Sequence, residues 1–231
     1  LPRVKALKDY VDVWGIFGEI NVCDNKYAAD YAYVIKKVVT AIKEIDPTAE
    51  FLFATALIDY GWTDAMLKEG LADYIDIIGV HIYKNRWPVL SYPKMAGNYI
   101  SNGVEITNPG ETYKDYEEQM NVYKKLVESY SPDIKIIITE VSEPEGLLPD
   151  KDGENIIQAK WLTRQYAIDK GLGLTATFWF TVDPISAPRI ISTLVDTDGN
   201  RTPAWYALRN YNTVFRGASS KPLCTLDITG D

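Results

Sequence analysis

Two glutamates, Glu19 and Glu140, each directly follow a short apolar segment rich in β-branched residues. The first segment is residues 11–18 and the second is residues 134–139. An acidic side chain in this place suits the carboxyl end of a buried parallel strand, where α/β barrels carry their active-site residues. Hydrolysis of a glycosidic bond needs two carboxyl groups, because one protonates the leaving oxygen and the other attacks the sugar or activates water. The pair therefore predicts glycoside hydrolysis.

Composition narrows the class of protein. The 231 residues are 46% hydrophobic and 12% aromatic, which is enough for one sizeable core and is a common size for a (β/α) barrel. A net charge of −8 without a basic run argues against a nucleic-acid partner and is compatible with a neutral substrate such as a sugar. No apolar stretch approaches the ~20 residues that span a bilayer, so we expect no membrane partner. The chain has only one histidine and two cysteines far apart in sequence, Cys23 and Cys224, so it lacks the ligands for a zinc site or a Cys–His pair. We therefore expect no cofactor and no metal.

Strand-like and helix-like segments alternate along the chain. Predicted strands end at Glu19 and Glu140 and cover 50–57, 74–83 and 174–180, and predicted helices cover 27–45, 64–70, 112–130, 154–170 and 203–215. Residues 84–111 are rich in Pro, Gly and Asn and are predicted to be a long irregular loop. The alternation predicts an α/β fold with a parallel sheet.

Five motifs, taken in chain order, resemble those of clan A glycoside hydrolases, whose catalytic domain is a TIM-type (β/α)8 barrel. They are Trp14-x-Ile16-x-x-Glu19-x-Asn21, His81-Ile82-Tyr83, Ile138-Thr139-Glu140, Phe178-Trp179-Phe180 and residues 196–208. In the clan they correspond to strands four, six, seven and eight and to the entry into the last helix. Together they cover nearly the whole chain, and they do not select one family within the clan.

The resemblance implies a role for each matching residue. Glu19 corresponds to the acid/base and Glu140 to the nucleophile of a retaining double displacement, so the implied reaction is cleavage of β-glycosidic bonds in an oligo- or polysaccharide. The side chains expected to bind the sugar are His81, Tyr83, Trp179, Trp87 and Asn21. Among these, Tyr83 would hydrogen-bond the nucleophile and Trp179 would stack on a sugar ring, a platform that Trp87 and Trp62 could extend.

Gly18 and Ile20 depart from the clan's pattern. The clan has Asn in place of Gly18, where it holds the sugar's 2-hydroxyl, and Pro in place of Ile20. Because such a contact contributes on the order of a few kcal/mol in the transition state, a second interpretation is a catalytically impaired, carbohydrate-binding barrel. A third is an unrelated barrel enzyme such as a Schiff-base aldolase, which needs a lysine at a strand end. No predicted strand ends in lysine, and Lys84 lies just beyond Tyr83.

The number of strands predicts a partial barrel. If Glu19 ends strand four of the clan's barrel, this chain supplies strands four to eight. We expect residues 1–216 to form this C-terminal part and residues 217–231 to be a tail or linker. We also expect a missing N-terminal barrel segment, either upstream in the native protein or supplied by another polypeptide. The sequence starts at Leu1 without an initiator Met or a signal-like segment, so it does not predict localisation, although a secreted or extracellular location is compatible with it.

Overall fold

The computed structural model describes residues 1–22, 27–83, 99–106, 116–142, 151–183 and 193–219. The helices in this part of the chain are α1 (Pro2–Leu7), α2 (Ala28–Lys43), α3 (Tyr60–Lys68), α4 (Tyr116–Tyr130), α5 (Lys151–Gly171) and α6 (Pro203–Phe215). The strands are β1 (Val13–Gly15), β2 (Glu50–Ala56), β3 (Ile77–Tyr83), β4 (Tyr99–Ser101), β5 (Val104–Ile106), β6 (Lys135–Ser142) and β7 (Thr177–Trp179). None of the described helices combines the length and the apolar composition that crossing a membrane requires.

Five strands form one parallel sheet in the order β1-β2-β3-β6-β7, which confirms the predicted α/β class. The order of the strands in the sheet follows their order in the chain, and a helix lies between most consecutive strands. This is the arrangement of a (β/α)8 barrel over part of its circumference. Within the described residues β1 and β7 each pair with one neighbour only, so the sheet has two open edges.

The convex face of the sheet packs against the helices. Large side chains of β2 and β3 point to this face, and Phe51, Phe53, Ile78 and Val80 are each fully buried. They belong to one hydrophobic cluster with residues of α2, α3 and α4, such as the buried Ile35 of α2. Because burial of apolar surface is the main favourable term in folding, this layer of packed helices fixes the curvature and position of the sheet.

On the concave face, the middle of the sheet carries small residues, Ala54 of β2 and Gly79 of β3, at positions that alternate with the large ones. A Cβ atom on Gly79 would lie 2.8 Å from the side chain of Thr139 and 3.0 Å from Cβ of Ala54, both shorter than ordinary contacts. The glycine thus leaves room for the side chains of the two neighbouring strands in the narrow interior of the barrel.

Two buried carboxylates tie the elements together on the convex side. Asp169 of α5 accepts hydrogen bonds from the hydroxyl of Tyr116 in α4 at 2.7 Å and from Oγ1 of Thr177 in β7 at 2.8 Å. Burial, together with the charge of Asp169, raises the pKa of Tyr116. Asp64 of α3 accepts a hydrogen bond of 2.6 Å from Tyr130 of α4, and burial together with this bond raises the pKa of Tyr130 to about 12.

The structure differs from the sequence predictions in several places. The strand predicted to end at Glu19 stops at Gly15. Within the predicted irregular loop 84–111, strands β4 and β5 form an antiparallel hairpin, so that prediction was wrong for residues 99–106. Helix α3 begins at Tyr60 and not at residue 64, because the Asp59 carboxylate caps it by accepting the N–H of Trp62 at 3.0 Å. Helix α1 was not predicted.

Candidate active site

Glu140 lies near the carboxyl end of β6, on a strand that runs from Lys135 to Ser142. Its position in the sheet depends on an irregularity in the pairing with β3. Val80 pairs with Ile138 and His81 pairs with Glu140, so Thr139 is an extra residue in β6 at this point. A bulge of this kind changes the direction of the side chain that follows it. The side chain of Glu140 is 29% exposed and faces His81.

The backbone leaves the sheet before it reaches Glu19. The last backbone hydrogen bonds between this segment and β2 run from Ile16 N–H to Leu52 O at 2.7 Å and from Ala54 N–H to Phe17 O at 3.4 Å. Phe17 (φ 62°) and Glu19 (φ 50°) then adopt left-handed backbone conformations. For a residue with a side chain this costs about 1–3 kcal/mol, and such residues cluster at functional sites. After these turns the Glu19 side chain is 42% exposed and contacts the end of β3.

His81 joins the two glutamates. Its Nδ1 lies 2.9 Å from Oε1 of Glu19 and 3.4 Å from Oε2 of Glu140, and its side chain is 6% exposed. The three polar atoms that converge here all lie within 4.8 Å of one another. The structure thus brings together the two acids that the sequence assigned to catalysis, and it inserts between them a residue that the sequence assigned to sugar binding.

The same three side chains are the only group among the described residues in which three or more His, Cys, Asp or Glu converge closely enough to hold a metal ion. An imidazole nitrogen and two carboxylate oxygens are ligands that Zn²⁺ accepts. Metal ligands were predicted to be lacking because the chain has few histidines and cysteines, but in the fold one histidine meets two carboxylates.

The other residues predicted to bind sugar are distributed around this trio. Tyr83 ends β3 and pairs with Ser142, two residues beyond the pair of His81 with Glu140. Trp179 ends β7 and pairs with Val141. It is partly buried, and it packs against the cluster under the sheet and against a second, smaller cluster that includes Leu162 of α5 and Ala204 of α6. Trp87 lies outside the described residues, so its contact with a sugar stays a prediction, as do those of Tyr83 and Trp179.

The burial of Trp62 and Asn21 argues against the sugar contacts that were predicted for them. Trp62 is 1% exposed and packs edge-on against Tyr31, with ring centroids 5.6 Å apart, so it belongs to the core and cannot extend a sugar platform. Asn21 is 2% exposed, and its amide nitrogen donates to Ala56 O at 2.7 Å and to Asp59 Oδ2 at 2.8 Å. Both N–H groups of Asn21 are thus donated within the protein, which leaves neither for a sugar hydroxyl in this conformation.

Two features of the site were not predicted from the sequence. Asp59 has a detectable signal, since an Asp directly before a helical segment is a typical N-cap, but its contact with Asn21 spans 38 positions and has no local pattern. Leu57, with φ 60°, donates its N–H to the carbonyl of His81 at 2.9 Å and so ties the end of β2 to the site.

No protein-family model matches the chain, and no curated protein matches it. Solved structures do match. One is a family 39 glycoside hydrolase from the gut symbiont Bacteroides cellulosilyticus WH2, with 17% identity, a TM-score of 0.66, and coverage of 93% of this chain and 43% of that chain. A family 51 arabinofuranosidase from Xanthomonas axonopodis pv. citri matches at 14% identity and a TM-score of 0.61, covering 90% and 43%. A family 128 endo-β-1,3-glucanase from Amycolatopsis mediterranei, in complex with laminaripentaose, matches at 16% identity and a TM-score of 0.55, covering 90% and 76%.

All three similar proteins are glycoside hydrolases, in agreement with the clan A motifs of the sequence. The chain spans less than half the length of the first two, which agrees with the predicted partial barrel. Likeness at these identities is a likeness of fold. The chain therefore has the fold of part of the (β/α)8 barrel found in clan A glycoside hydrolases.

Proposed function

We propose that this chain carries the catalytic glutamates of a retaining glycoside hydrolase that cleaves β-glycosidic bonds. The observation that carries the proposal is the convergence of Glu19 and Glu140, each with a carboxylate oxygen in a cluster no wider than 4.8 Å. Retaining enzymes hold their two carboxyl groups ~5–5.5 Å apart, whereas inverting enzymes need ~6.5–9.5 Å to admit a water molecule between acid and sugar. One oxygen of each carboxylate lies within 4.8 Å of the other, which is compatible with the shorter, retaining separation.

In the proposed reaction the Glu140 carboxylate attacks the anomeric carbon and forms a glycosyl ester as the bond to the leaving oxygen breaks. Glu19 gives its proton to that oxygen, so the first product leaves as a neutral alcohol or sugar. Glu19, now a carboxylate, takes a proton from water, and the hydroxyl group attacks the anomeric carbon. The ester bond breaks, Glu140 is released as a carboxylate, and the configuration of the sugar is retained.

His81 supports this cycle by its position between the two acids. A protonated Nδ1 donates to Glu19 at 2.9 Å and lies 3.4 Å from Glu140, so its N–H dipole offsets part of the repulsion between the two carboxylates. The small exposed fraction of the imidazole means that the ring cannot easily turn away from them. In this proposal His81 orients the acids and lines the sugar site together with Tyr83.

The substrate proposed is a neutral oligo- or polysaccharide. Trp179, at the end of the strand beside Glu140, would stack on the sugar held at the point of cleavage, and Trp87 would extend the platform. One of the similar solved proteins was determined with laminaripentaose, an oligosaccharide, which is consistent with this class of substrate.

A further segment is proposed to complete the barrel. Both β1 and β7 have an open edge among the described residues, and a surface cavity of about 780 Å³ lies beside β7, lined by Thr175, Thr177, Arg209 and Phe215 among others. An adjoining strand would cover such a cavity and remove the edges. Sizing and thermal melting of residues 1–231 test this. A cooperatively melting monomer with full glycosidase activity would contradict it.

An impaired, carbohydrate-binding barrel is the second candidate, and one observation favours it. A Cβ placed on Gly18 has no neighbouring atom within 4 Å, so no close contact at Cβ requires glycine there, and yet the Asn of the clan is absent. Turnover separates the two candidates. The aldolase interpretation finds little support, because the last residues of the five parallel strands are Gly15, Ala56, Tyr83, Ser142 and Trp179, none of them a lysine.

The deciding experiment traps the glycosyl intermediate. A 2-deoxy-2-fluoro β-glycoside with a dinitrophenyl leaving group slows hydrolysis of the ester, so mass spectrometry of the digested protein should find the label on the peptide that contains Glu140. Glu140→Gln should remove the label, and Glu44→Gln, an exposed matched control at the end of α2, should retain it. Label on a different acid contradicts the assignment. Oligosaccharide binding without any label or turnover supports the impaired barrel.

A further inference from the structure

The side-chain amide of Asn21 occupies a place in the sheet that a backbone would normally fill. Its nitrogen donates to Ala56 O at 2.7 Å, and its oxygen accepts the N–H of Ala56 at 2.7 Å. Ala56 follows Leu52 and Ala54 along β2, and those two residues use the same edge to bind Ile16 and Phe17 of the β1 segment. Asn21 therefore continues, with a side chain, the ladder that the β1 segment begins with its backbone.

The Asn21 amide takes the place of a backbone group because the main chain turns away from β2 after Phe17. Phe17 and Glu19 are left-handed, and Ile20–Val22 form a short 3-10 helix. Between Phe17 and Val22, where the structure describes the chain, no backbone group bonds to Ala56. Without Asn21, a donor and an acceptor at the end of β2 would lose their partners next to the buried Asp59. The amide thus allows Glu19 to leave the ladder while the segment on either side of it stays attached to β2.

Asp59 fixes the amide from the other side. One carboxylate oxygen accepts the second N–H of Asn21 at 2.8 Å, and the other accepts the N–H of Trp62 at the start of α3 at 3.0 Å. Both side chains are 2% exposed. Leu57, the first residue after β2, donates its N–H to the carbonyl of His81. One short stretch of β2 therefore holds the turn that carries Glu19 and the strand that carries His81.

We propose that Asn21 and Asp59 are positioning residues for the acid/base Glu19, and that Asn21 acts through the end of β2 and not through contact with the sugar. The inference rests on the proposed role of Glu19. In this inference the Asn21–Asp59 pair sets the distance between the Glu19 carboxylate and His81. It thereby also sets the position of the acid relative to the leaving oxygen.

The test uses variants that alter the hydrogen bonds and little else. Asn21→Asp replaces the donating nitrogen by an oxygen and sets it against Ala56 O and the Asp59 carboxylate. Asp59→Asn keeps an oxygen to cap α3 but presents an N–H to the N–H of Asn21. The double variant Asn21→Asp/Asp59→Asn restores a donor and an acceptor between the two side chains. Asn210→Asp, exposed on α6, is the matched control.

For aryl glycosides with poor leaving groups we expect kcat/KM of either single variant to fall about 10–100-fold, since a misplacement near 1 Å can cost ~10²-fold. Substrates with activated leaving groups should change less than about threefold, because they need little protonation. The double variant should recover part of the loss, and Asn210→Asp should match the unaltered chain. Equal losses on both substrate classes, or a rise in KM alone, would overturn the proposal in favour of a general or sugar-binding role.

A second readout does not depend on activity. His81 is the only histidine of the chain, so its imidazole nitrogens give one set of NMR signals. Asn21→Asp and Asp59→Asn should shift these signals in the direction that Glu19→Gln does, and Asn210→Asp should leave them in place. Unchanged His81 signals in a folded Asp59→Asn variant would contradict the positioning of Glu19 by Asp59. This test remains valid even if the chain cleaves no glycoside and the proposed function fails.

Discussion

Glu140 and Glu19 reach the same histidine along different backbone routes. Glu140 stays on β6, where main-chain pairing with β3 sets its place and where its neighbours Ile138 and Val141 are buried. Glu19 lies beyond β1, in a segment with two left-handed residues and an exposed neighbour, Phe17. A residue on a paired strand keeps its position through many nearby substitutions, whereas a residue on a turn depends on the particular side chains that hold the turn.

The difference suits the two proposed tasks. A nucleophile has to meet one carbon atom in a narrow range of angles, so a rigid strand is an advantage. An acid/base acts first on the leaving oxygen and later on water, so a more exposed side chain at a turn can serve both. The exposed fractions follow this order, with 29% for Glu140 and 42% for Glu19.

Removal of the strand-borne acid should have the largest effect. Glu140→Gln leaves no group to form the glycosyl ester, and we expect kcat to fall by on the order of 10⁴–10⁶-fold on every substrate, whatever its leaving group. Steady-state kinetics with activated and unactivated aryl glycosides measure this, with Glu44→Gln as the control. Residual activity above a hundredth of the original would remove Glu140 as the nucleophile.

Removal of the turn-borne acid should have a smaller and selective effect. Glu19→Ala should lower kcat/KM by about 10²–10⁴-fold for poor leaving groups and far less for dinitrophenyl glycosides, which leave without a proton. Added azide should speed the second step for the good leaving groups, because a small anion can attack the glycosyl ester without base assistance. Equal losses on both substrate classes would show that Glu19 is not the acid.

The free energy of unfolding should be more sensitive to an added methyl group in the strand region than at the turn. Gly79→Ala places a Cβ 2.8 Å from Thr139 on the concave face, and overpacking of this kind costs about 1–3 kcal/mol. Gly18→Ala adds a Cβ with no atom within 4 Å and should change the free energy of unfolding by less than about 0.5 kcal/mol. Denaturant titration of both variants checks this, and equal destabilisation would contradict the contrast between the two regions.

The smallest effect is expected from a substitution that adds a contact. Gly18→Asn should raise the rate by about 2–10-fold for sugars that carry a 2-hydroxyl, since a hydrogen bond between neutral groups contributes about 0.5–1.5 kcal/mol. Substrates without that hydroxyl should be cleaved as before. A fall for both kinds of sugar would mean that glycine is required at this turn for steric reasons.

The sheet could be predicted from sequence because each of its strands is a local apolar segment. Residues 50–57 and 74–83 were predicted as strands and contain β2 and β3, and both acids follow such segments. The hairpin of β4 and β5 also had a local signal, since Asn102-Gly103 is a favoured two-residue turn and both residues have positive φ (45° and 79°). This signal was overlooked because the prolines and glycines around it led to the prediction of an irregular loop.

The arrangement inside the site could not be predicted in the same way. The contact of His81 with Glu140 depends on the extra residue Thr139 in β6, which shifts the pairing by one position. The inward amide of Asn21 depends on where the backbone leaves β2, and nothing in the local sequence distinguishes a sugar-facing Asn from a buried one. Both features arise from pairing between distant segments, for which the local pattern holds no information.

The two open edges of the sheet have a consequence for how activity is measured. If a separate polypeptide supplies the neighbouring strands, the working site exists only in the associated form, and its amount follows mass action. Specific activity would then rise with protein concentration and fall on dilution, and the melting temperature would depend on how much of the partner is present. The measured activity of this chain would then depend on its association equilibrium with the second polypeptide.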